Sequence, residues 1–150
     1  MNLIELYLRE ILVLSTRVFV FNLCSWYYAV LLDYVPSYLP LTKEIILPEN
    51  APLEFSDRYI LWNSVEKIEK SINAQLAREI DIALPKELSF EQNLNLIREY
   101  CKINFTDKGM VADIAIHNEN KGNDNIHAHI MLTTRPLKDN GQWGDKEKKD

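Results

Sequence analysis

Near the C-terminus, two alternating stretches, VADIAIH and HAHIMLTT, flank the turn-rich segment NENKGNDN, and this pattern constrains the fold most. Side chains alternate between the two faces of a β-strand, so each stretch is typical of a strand with one apolar face. Two such strands around a polar segment predict an antiparallel hairpin. All three histidines of the chain, His117, His127 and His129, fall within it. The alternation places all three on the face opposite the isoleucines.

Three imidazoles that meet at one end of a sheet can hold a divalent cation and leave a coordination position open. A single histidine on a strand is more often a structural residue. The window from His117 to His129 holds the whole histidine content of the chain, which favours a metal site. The residue types do not decide whether the cation is Mn, Mg, Zn, Co or Ni.

Three carboxylates are candidates for holding the histidine rings in place. Asp113 shares the predicted face of His117, and Glu79 with Asp81 forms the polar face of the alternating stretch EIDIAL. A carboxylate that accepts the second ring N–H of a ligating histidine fixes its tautomer and orientation. The alternative, a solvated strand face, stays open for each of the three.

The remaining pattern predicts an α+β fold, with an antiparallel β-sheet and helices packed on one of its faces. KEIILP is typical of a short strand that ends at Pro48. Ser56 or Asp57 can cap a first helix, and Ser89 with Gln92 can form a capping box for a second. The apolar positions of the first predicted helix are Leu61, Val65, Ile68, Ile72 and Leu76, and those of the second are Phe90, Leu94, Ile97 and Cys101.

The chain of 150 residues divides into three parts. Residues 1–42 form an atypical apolar N-terminal segment, residues 43–137 form the domain with the histidines, and residues 138–150 form a polar tail. The apolar run 11–32 is long enough for a membrane span, but Arg17 and Asn22 interrupt it, which favours buried structure over insertion. Two distant cysteines and the absence of a signal-peptide pattern predict a cytoplasmic protein.

Several motifs resemble, in order, the MobA/MobL family of plasmid mobilisation relaxases. They are LPENAP, LWNSVEKIEK, AQLAREIDIALPKEL, GMVADIAIHN, HAHIMLTTR and WGDK, spread over about residues 43–150. These relaxases belong to the HUH endonucleases, named for two histidines around a hydrophobic residue, here His127, Ala128 and His129. The resemblance implies an HUH relaxase-like, though incomplete, fold. It also implies metal-dependent nicking of single-stranded DNA at a transfer origin through a phosphotyrosine, with relaxosome accessory proteins as partners.

The family's nucleophilic tyrosine lies upstream in a segment similar to S-A-V-A-A-A-A-Y-R, which this sequence lacks. Tyr27 and Tyr28 are the nearest candidates. The abrupt start of family-like sequence near residue 43 suggests a frame change or a truncated, inactive copy. A metal- and DNA-binding module without cleavage is therefore the alternative function, and a zinc hydrolase that activates water is a third. With a net charge of −5, DNA affinity would require Lys121, Arg135 and Lys138 to gather locally.

Overall fold

The computed structural model describes residues 13–20, 41–71, 74–120 and 123–146. The strands in these ranges form one five-stranded antiparallel sheet with the order β1-β3-β5-β4-β2. Their bounds are β1 Val13–Val20, β2 Thr42–Ile46, β3 Gln75–Ala83, β4 Ala112–Asn120 and β5 Asn123–Thr133. Together with two α-helices, the sheet confirms the predicted α+β class.

The hairpin of β4 and β5 lies inside the sheet, between β3 and β2. Its register pairs Ile114 with Ile130 and His117 with His127. The strands continue to Asn120 and resume at Asn123, so most of the segment predicted as a loop is strand. Pairing continues through these polar residues because the strand ladder satisfies backbone hydrogen-bonding groups whatever the side chains are.

The first helix, α1, spans Arg58–Ile68, and the Asp57 side chain caps it by accepting from the Ile60 N–H. The prediction that this helix continues to Leu76 is wrong, because Leu76 is a buried residue of β3. Its spacing from Ile68 fits a helix, but the stretch QLAREIDIA also alternates with the period of a strand. Ile72 lies outside the described residues.

The second helix, α2, spans Phe90–Asn104 and begins with the predicted capping box. The Ser89 hydroxyl accepts from the Gln92 N–H, while the Gln92 side chain accepts from the Ser89 N–H. A core cluster forms where α2 meets the isoleucine face of the sheet. From α2 it contains Leu94, Ile97 and Cys101, and from the sheet it contains Ile80, Ile82, Ile114, Ile116 and Ile130.

The two helices pack on opposite faces of the sheet, so the prediction of helices on one face is wrong. Leu61, Trp62 and Val65 of α1 form a second cluster with Ala77 and Val111, which lie on the histidine face. The strand pattern concealed this arrangement because the apolar residues there are few and small. The histidine end of that face carries polar side chains instead, whereas α1 completes the core at the other end.

Residues 138–146, most of the predicted polar tail, return to the domain. Trp143 stacks on Phe55 with ring centroids 5.4 Å apart. Arg135 donates to Glu69 at 2.7 Å, and the Lys146 Nζ lies 2.8 Å from the same carboxylate. Glu69 is the buried residue that ends α1, so these contacts hold the C-terminal segment against the first helix.

Glu69 should make folding stability sensitive to acid. Burial raises the pKa of its carboxyl, but hydrogen bonds from Arg135 and Lys146, together with their charges, outweigh burial and bring the pKa below the ordinary value of 4.5. A carboxyl whose pKa is lower in the folded state stabilises the protein above its unfolded-state pKa. That contribution is lost as the pH falls through the folded-state pKa.

We expect Glu69→Gln to flatten the fall in the free energy of unfolding on acidification below about pH 4.5, measured by urea denaturation across pH. Glu66→Gln is the matched control, because Glu66 lies one turn earlier on α1 and is exposed. Equal acid sensitivity in wild type and Glu69→Gln would contradict this role.

The N-terminal segment contributes β1, which pairs with β3 through registers such as Thr16 with Ile80. Part of the apolar run is thus an edge strand of the sheet, while residues 21–40 lie outside the described residues. Within the described part of the chain, no helix has the length and apolarity needed to cross a membrane.

Candidate metal centre

Strand register alone brings the three histidines together on β4 and β5, near one end of the sheet. His117 of β4 lies directly opposite His127 of β5, and His129 follows two residues later on β5. Asp81 of β3 lies opposite His129 on its other side. Directly opposite residues of an antiparallel pair project to the same face, with Cβ atoms about 4.5–5.5 Å apart. The predicted convergence of the rings is present in the structure.

The arrangement of the rings suits the binding of one shared cation. Ring centroids are 5.8 Å apart for His117 and His127, 5.1 Å for His117 and His129, and 4.9 Å for His127 and His129. The Nε2 atoms of His127 and His129 are 3.1 Å apart. Two nitrogens bound to one cation at the usual distance of about 2.0–2.1 Å lie about 3.3 Å apart in tetrahedral geometry. The observed separation therefore fits two ligands of one ion.

The other nitrogen of His129 faces two carboxylates of β3. Its Nδ1 lies 2.5 Å from Asp81 Oδ1 and 3.3 Å from Glu79 Oε1. Burial lowers the pKa of His129, but the hydrogen bonds and negative charges of Glu79 and Asp81 outweigh it and raise the pKa overall. Carboxylates in this position hold the proton on Nδ1, which leaves Nε2 as the ligating atom. The predicted places of Glu79 and Asp81 beside a histidine match these contacts.

A second possible set of cation ligands consists of Glu79, Asp81 and the Nδ1 of His129. Their ligand atoms lie within 4.8 Å of one another. This set shares His129 with the three-histidine set. Its carboxylates face the other ring nitrogen of His129, at 2.5 Å for Asp81 and 3.3 Å for Glu79.

Asp113 does not contact a histidine, so its predicted role beside the rings is wrong. It accepts two hydrogen bonds from Arg58, at 2.7 and 2.6 Å, and a third from the Trp62 indole at 2.9 Å. It shares the face of His117 but lies four residues away along β4, which is about 13 Å in a strand. Its position under α1 explains the difference, because it secures that helix to the sheet.

Sequence reasoning missed Arg58 and Trp62, although a signal was present. They are four residues apart on a helix that begins at Arg58, so they share one helix face. Both side chains carry N–H donors on a helix face that packs into the core, so they require a buried hydrogen-bond acceptor. Asp113 is that acceptor.

Two other predictions concern the basic residues near the hairpin turn and the tyrosine nucleophile. Arg135 lies beyond the end of β5 that is far from the histidines and binds Glu69, so it does not gather at the hairpin turn. Lys121 lies outside the described residues, as do the candidate nucleophiles Tyr27 and Tyr28. The structure therefore places the histidines and their carboxylates, and the position of a nucleophile remains a prediction.

The domain is antiparallel α+β, with the H-x-H pair on one strand and the third histidine on the neighbouring strand. This is the architecture that the resemblance implied. Comparison with known proteins agrees, since residues 27–150 match the MobA/MobL family. The chain thus belongs to the MobA/MobL family of mobilisation relaxases. The match begins 16 residues before Lys43, so family-like sequence starts earlier than the motifs indicated.

Several relatives are similar to this chain. The conjugal transfer protein TraA of Rhizobium radiobacter is 43% identical over 77% of the chain and 11% of the relative. The probable mobilization protein MobA of Bifidobacterium longum is 37% identical over 70% of the chain and 18% of the relative. The chain therefore spans less than a fifth of the length of either protein.

A solved structure is also similar. It is a chain described under "Molecular Basis of Vancomycin Resistance Transfer in Staphylococcus aureus". The two chains share 38% identity with a TM-score of 0.64, over 73% of this chain and 55% of that one. The similarity to this solved structure therefore holds for both the sequence and the fold.

Proposed function

We propose that this domain nicks one strand of DNA at a transfer origin, with a divalent cation held by His117, His127 and His129. The convergence of the three imidazoles on two neighbouring strands carries the proposal. The cation, one of Mn, Mg, Zn, Co or Ni, would supply positive charge to the phosphate oxygens as negative charge grows in the transition state. Because the ligands are neutral, they would leave that charge undiminished.

The residues of the chain have separate tasks in this scheme. Asp81 and Glu79 hold the His129 ring by accepting its Nδ1–H, so that Nε2 keeps one direction. A tyrosine hydroxyl, for which Tyr27 and Tyr28 are the candidates, loses its proton and attacks phosphorus. The bond from phosphorus to the 3′ oxygen breaks, giving a 5′-phosphotyrosyl link and a free 3′-OH. The link keeps the bond energy, so the strand can be rejoined.

The partners follow from this chemistry. Single-stranded DNA is the substrate, and relaxosome proteins would expose it at the origin. Such a reaction would take place in the cytoplasm, where the plasmid is. The alternative is a domain that binds metal and DNA without cutting, and this would hold for a copy in which no tyrosine reaches the histidines.

The decisive measurement is formation of a covalent adduct between protein and DNA. We expect the wild-type chain with Mn²⁺ to relax a supercoiled plasmid that carries the DNA flanking its own gene. Denaturation should then reveal DNA linked to one tyrosine, which peptide mapping would identify. His127→Ala should slow nicking at least about 100-fold, because the charge that stabilises the transition state is lost.

Tyr27→Phe and Tyr28→Phe test the nucleophile, and Tyr59→Phe is the matched control, since Tyr59 is an exposed tyrosine of α1. Loss of the adduct in one of the first two variants alone would assign the nucleophile. Metal binding without any adduct in the wild type would instead establish the non-cleaving alternative.

A further inference from the structure

A polar cavity lies at the end of the domain that is far from the histidines. Its volume is about 510 Å³, and it opens between residues 48–50, residues 106–109 and the C-terminal residues 137 and 139. The second of these segments precedes β4. The start of β4 at Ala112 and its histidine, His117, are about 16 Å apart in a strand. A ligand in this cavity would therefore leave the histidines open to DNA.

Contacts between these segments hold the walls of the cavity in place. The Asn50 amide donates to the carbonyl oxygens of Leu137 and Lys138, at 3.2 and 2.5 Å. The Leu137 N–H donates to the Gly109 carbonyl at 2.8 Å. A Cβ on Gly109 would lie 2.8 Å from the Leu137 oxygen, so this close approach requires glycine. A cavity with such walls binds a ligand without the cost of ordering them.

One wall contains a polar side chain that is almost fully buried. Thr106 is only 5% exposed, and it lines the cavity. Its hydroxyl makes no hydrogen bond within the part of the chain that the structure describes, and it is not sealed off from open space. For this residue the open space is the cavity, so a ligand bound there can complete the hydrogen bonding of the hydroxyl.

The rim of the cavity is acidic, since three carboxylates and one lysine line it. Asp107 is held by Lys102 at 2.7 Å. Glu49 and Asp139 are exposed, and neither forms an ion pair with another described residue. Asp107 raises the pKa of Lys102 through its hydrogen bond and its charge, and Glu49 adds to the increase. A rim of this charge attracts cations and repels DNA.

We propose that this cavity binds a basic segment of a partner protein, whose arginine or lysine side chain passes Glu49 and Asp139 and donates to the Thr106 hydroxyl. The buried residues Pro48 and Leu137 provide apolar contacts for the methylene stem. A bare metal ion would fill only a small part of the cavity, whereas a side chain with its flanking backbone matches the size of typical binding pockets. The proposal goes beyond strand nicking and does not depend on it.

The test is an NMR titration of the ¹⁵N-labelled chain with a pentapeptide that carries one arginine between glycines, and with its lysine counterpart. We expect saturable shifts of the backbone amides of Thr106, Lys108 and Gly109, which line the cavity. The tighter of the two peptides identifies the side chain. A peptide with citrulline, the uncharged isostere of arginine, should bind about tenfold more weakly than the arginine peptide, because hydrogen bonds from charged donors are stronger.

Thr106→Val should weaken binding of the arginine peptide about fivefold, because it removes the acceptor, whereas Thr106→Ser should keep the affinity within about twofold because it retains the hydroxyl. Glu49→Gln combined with Asp139→Asn should weaken binding about tenfold. The matched control is Glu87→Gln combined with Glu91→Gln. It removes the same charge from exposed residues at the start of α2, the end of that helix far from Thr106.

Three results would overturn the proposal. One is a citrulline peptide that binds as tightly as the arginine peptide. Another is a control pair that weakens binding as much as the pair at the rim. The third is a shift of the same amides by oligothymidylate, which would assign the cavity to DNA. The rim pair and the Thr106 variants are measured separately, so a folding defect in one variant does not decide the outcome. A wild type that forms no covalent adduct with DNA would refute nicking and leave this proposal standing.

Discussion

His129→Ala should reduce the affinity of this chain for a divalent cation at least about 100-fold, because changing a residue that only orients a ligand already costs 10- to 100-fold. His129 lies on β5, the central strand of the sheet. Its Nε2 lies 3.1 Å from that of His127, and its ring contacts His117 edge to face. Isothermal titration with Mn²⁺ and Zn²⁺ measures the affinity directly.

A stability measurement provides an independent check. A cation that binds only the folded state at 1,000 times its dissociation constant raises the free energy of unfolding by about 4 kcal/mol. The wild type should therefore show a large metal-dependent increase in thermal stability, and His129→Ala should show almost none.

Two further variants calibrate the expected loss of metal affinity. Asp81→Asn should weaken metal binding about 10- to 100-fold, since the ring remains but its orientation and basicity change. Asn118→Ala is the control, because Asn118 is exposed and follows His117 on the alternate face. A single histidine variant that binds Mn²⁺ and Zn²⁺ as tightly as the wild type would refute the shared site. The 3.1 Å contact would then be an ordinary hydrogen bond between two imidazoles.

The sequence was sufficient for those parts of the fold that local chemistry determines. The capping box at Ser89 forms as predicted, and Asp57, one of the two residues predicted as a cap, begins the first helix. Each of these features depends on residues within one helical turn. The grouping of the histidines was also predictable. Once a hairpin is assigned, alternation determines which side chains share a face, and His117 pairs with His127.

The side of the sheet on which each helix packs was not predictable in this way. That choice depends on which distant residues come together, such as Val65, Ala77 and Val111 in one cluster, and periodicity carries no information about it. Leu76 illustrates the same limit, since its spacing suits both a helix and a strand, and it belongs to β3 because the residues around it pair within the sheet.

Asp113 shows why a shared face is not the same as a shared site. The alternation correctly put it on the histidine side. Its distance along the strand and the arrival of α1 above it then determined its partners, and neither quantity is visible in the pattern.

Asp113→Ala should lower the free energy of unfolding by about 2–3 kcal/mol. Removing one partner of a fully buried ion pair typically costs 3–5 kcal/mol, and here Arg58 remains 22% exposed, so water recovers part of the loss. The substitution also leaves the buried Trp62 N–H without its acceptor. Urea denaturation followed by tryptophan fluorescence measures the change.

The control is Asp107→Ala, which breaks the exposed pair with Lys102 and should leave stability unchanged, because exposed ion pairs contribute little. Metal titration of the folded Asp113→Ala protein then separates the two roles considered for this residue. If Asp113 only secures α1, the affinity for Mn²⁺ should stay within about twofold of the wild type, whereas orientation of a ligating histidine predicts at least a tenfold loss. A variant of normal stability with weakened metal binding would show that the carboxylate serves the histidines after all, despite its bonds to Arg58 and Trp62.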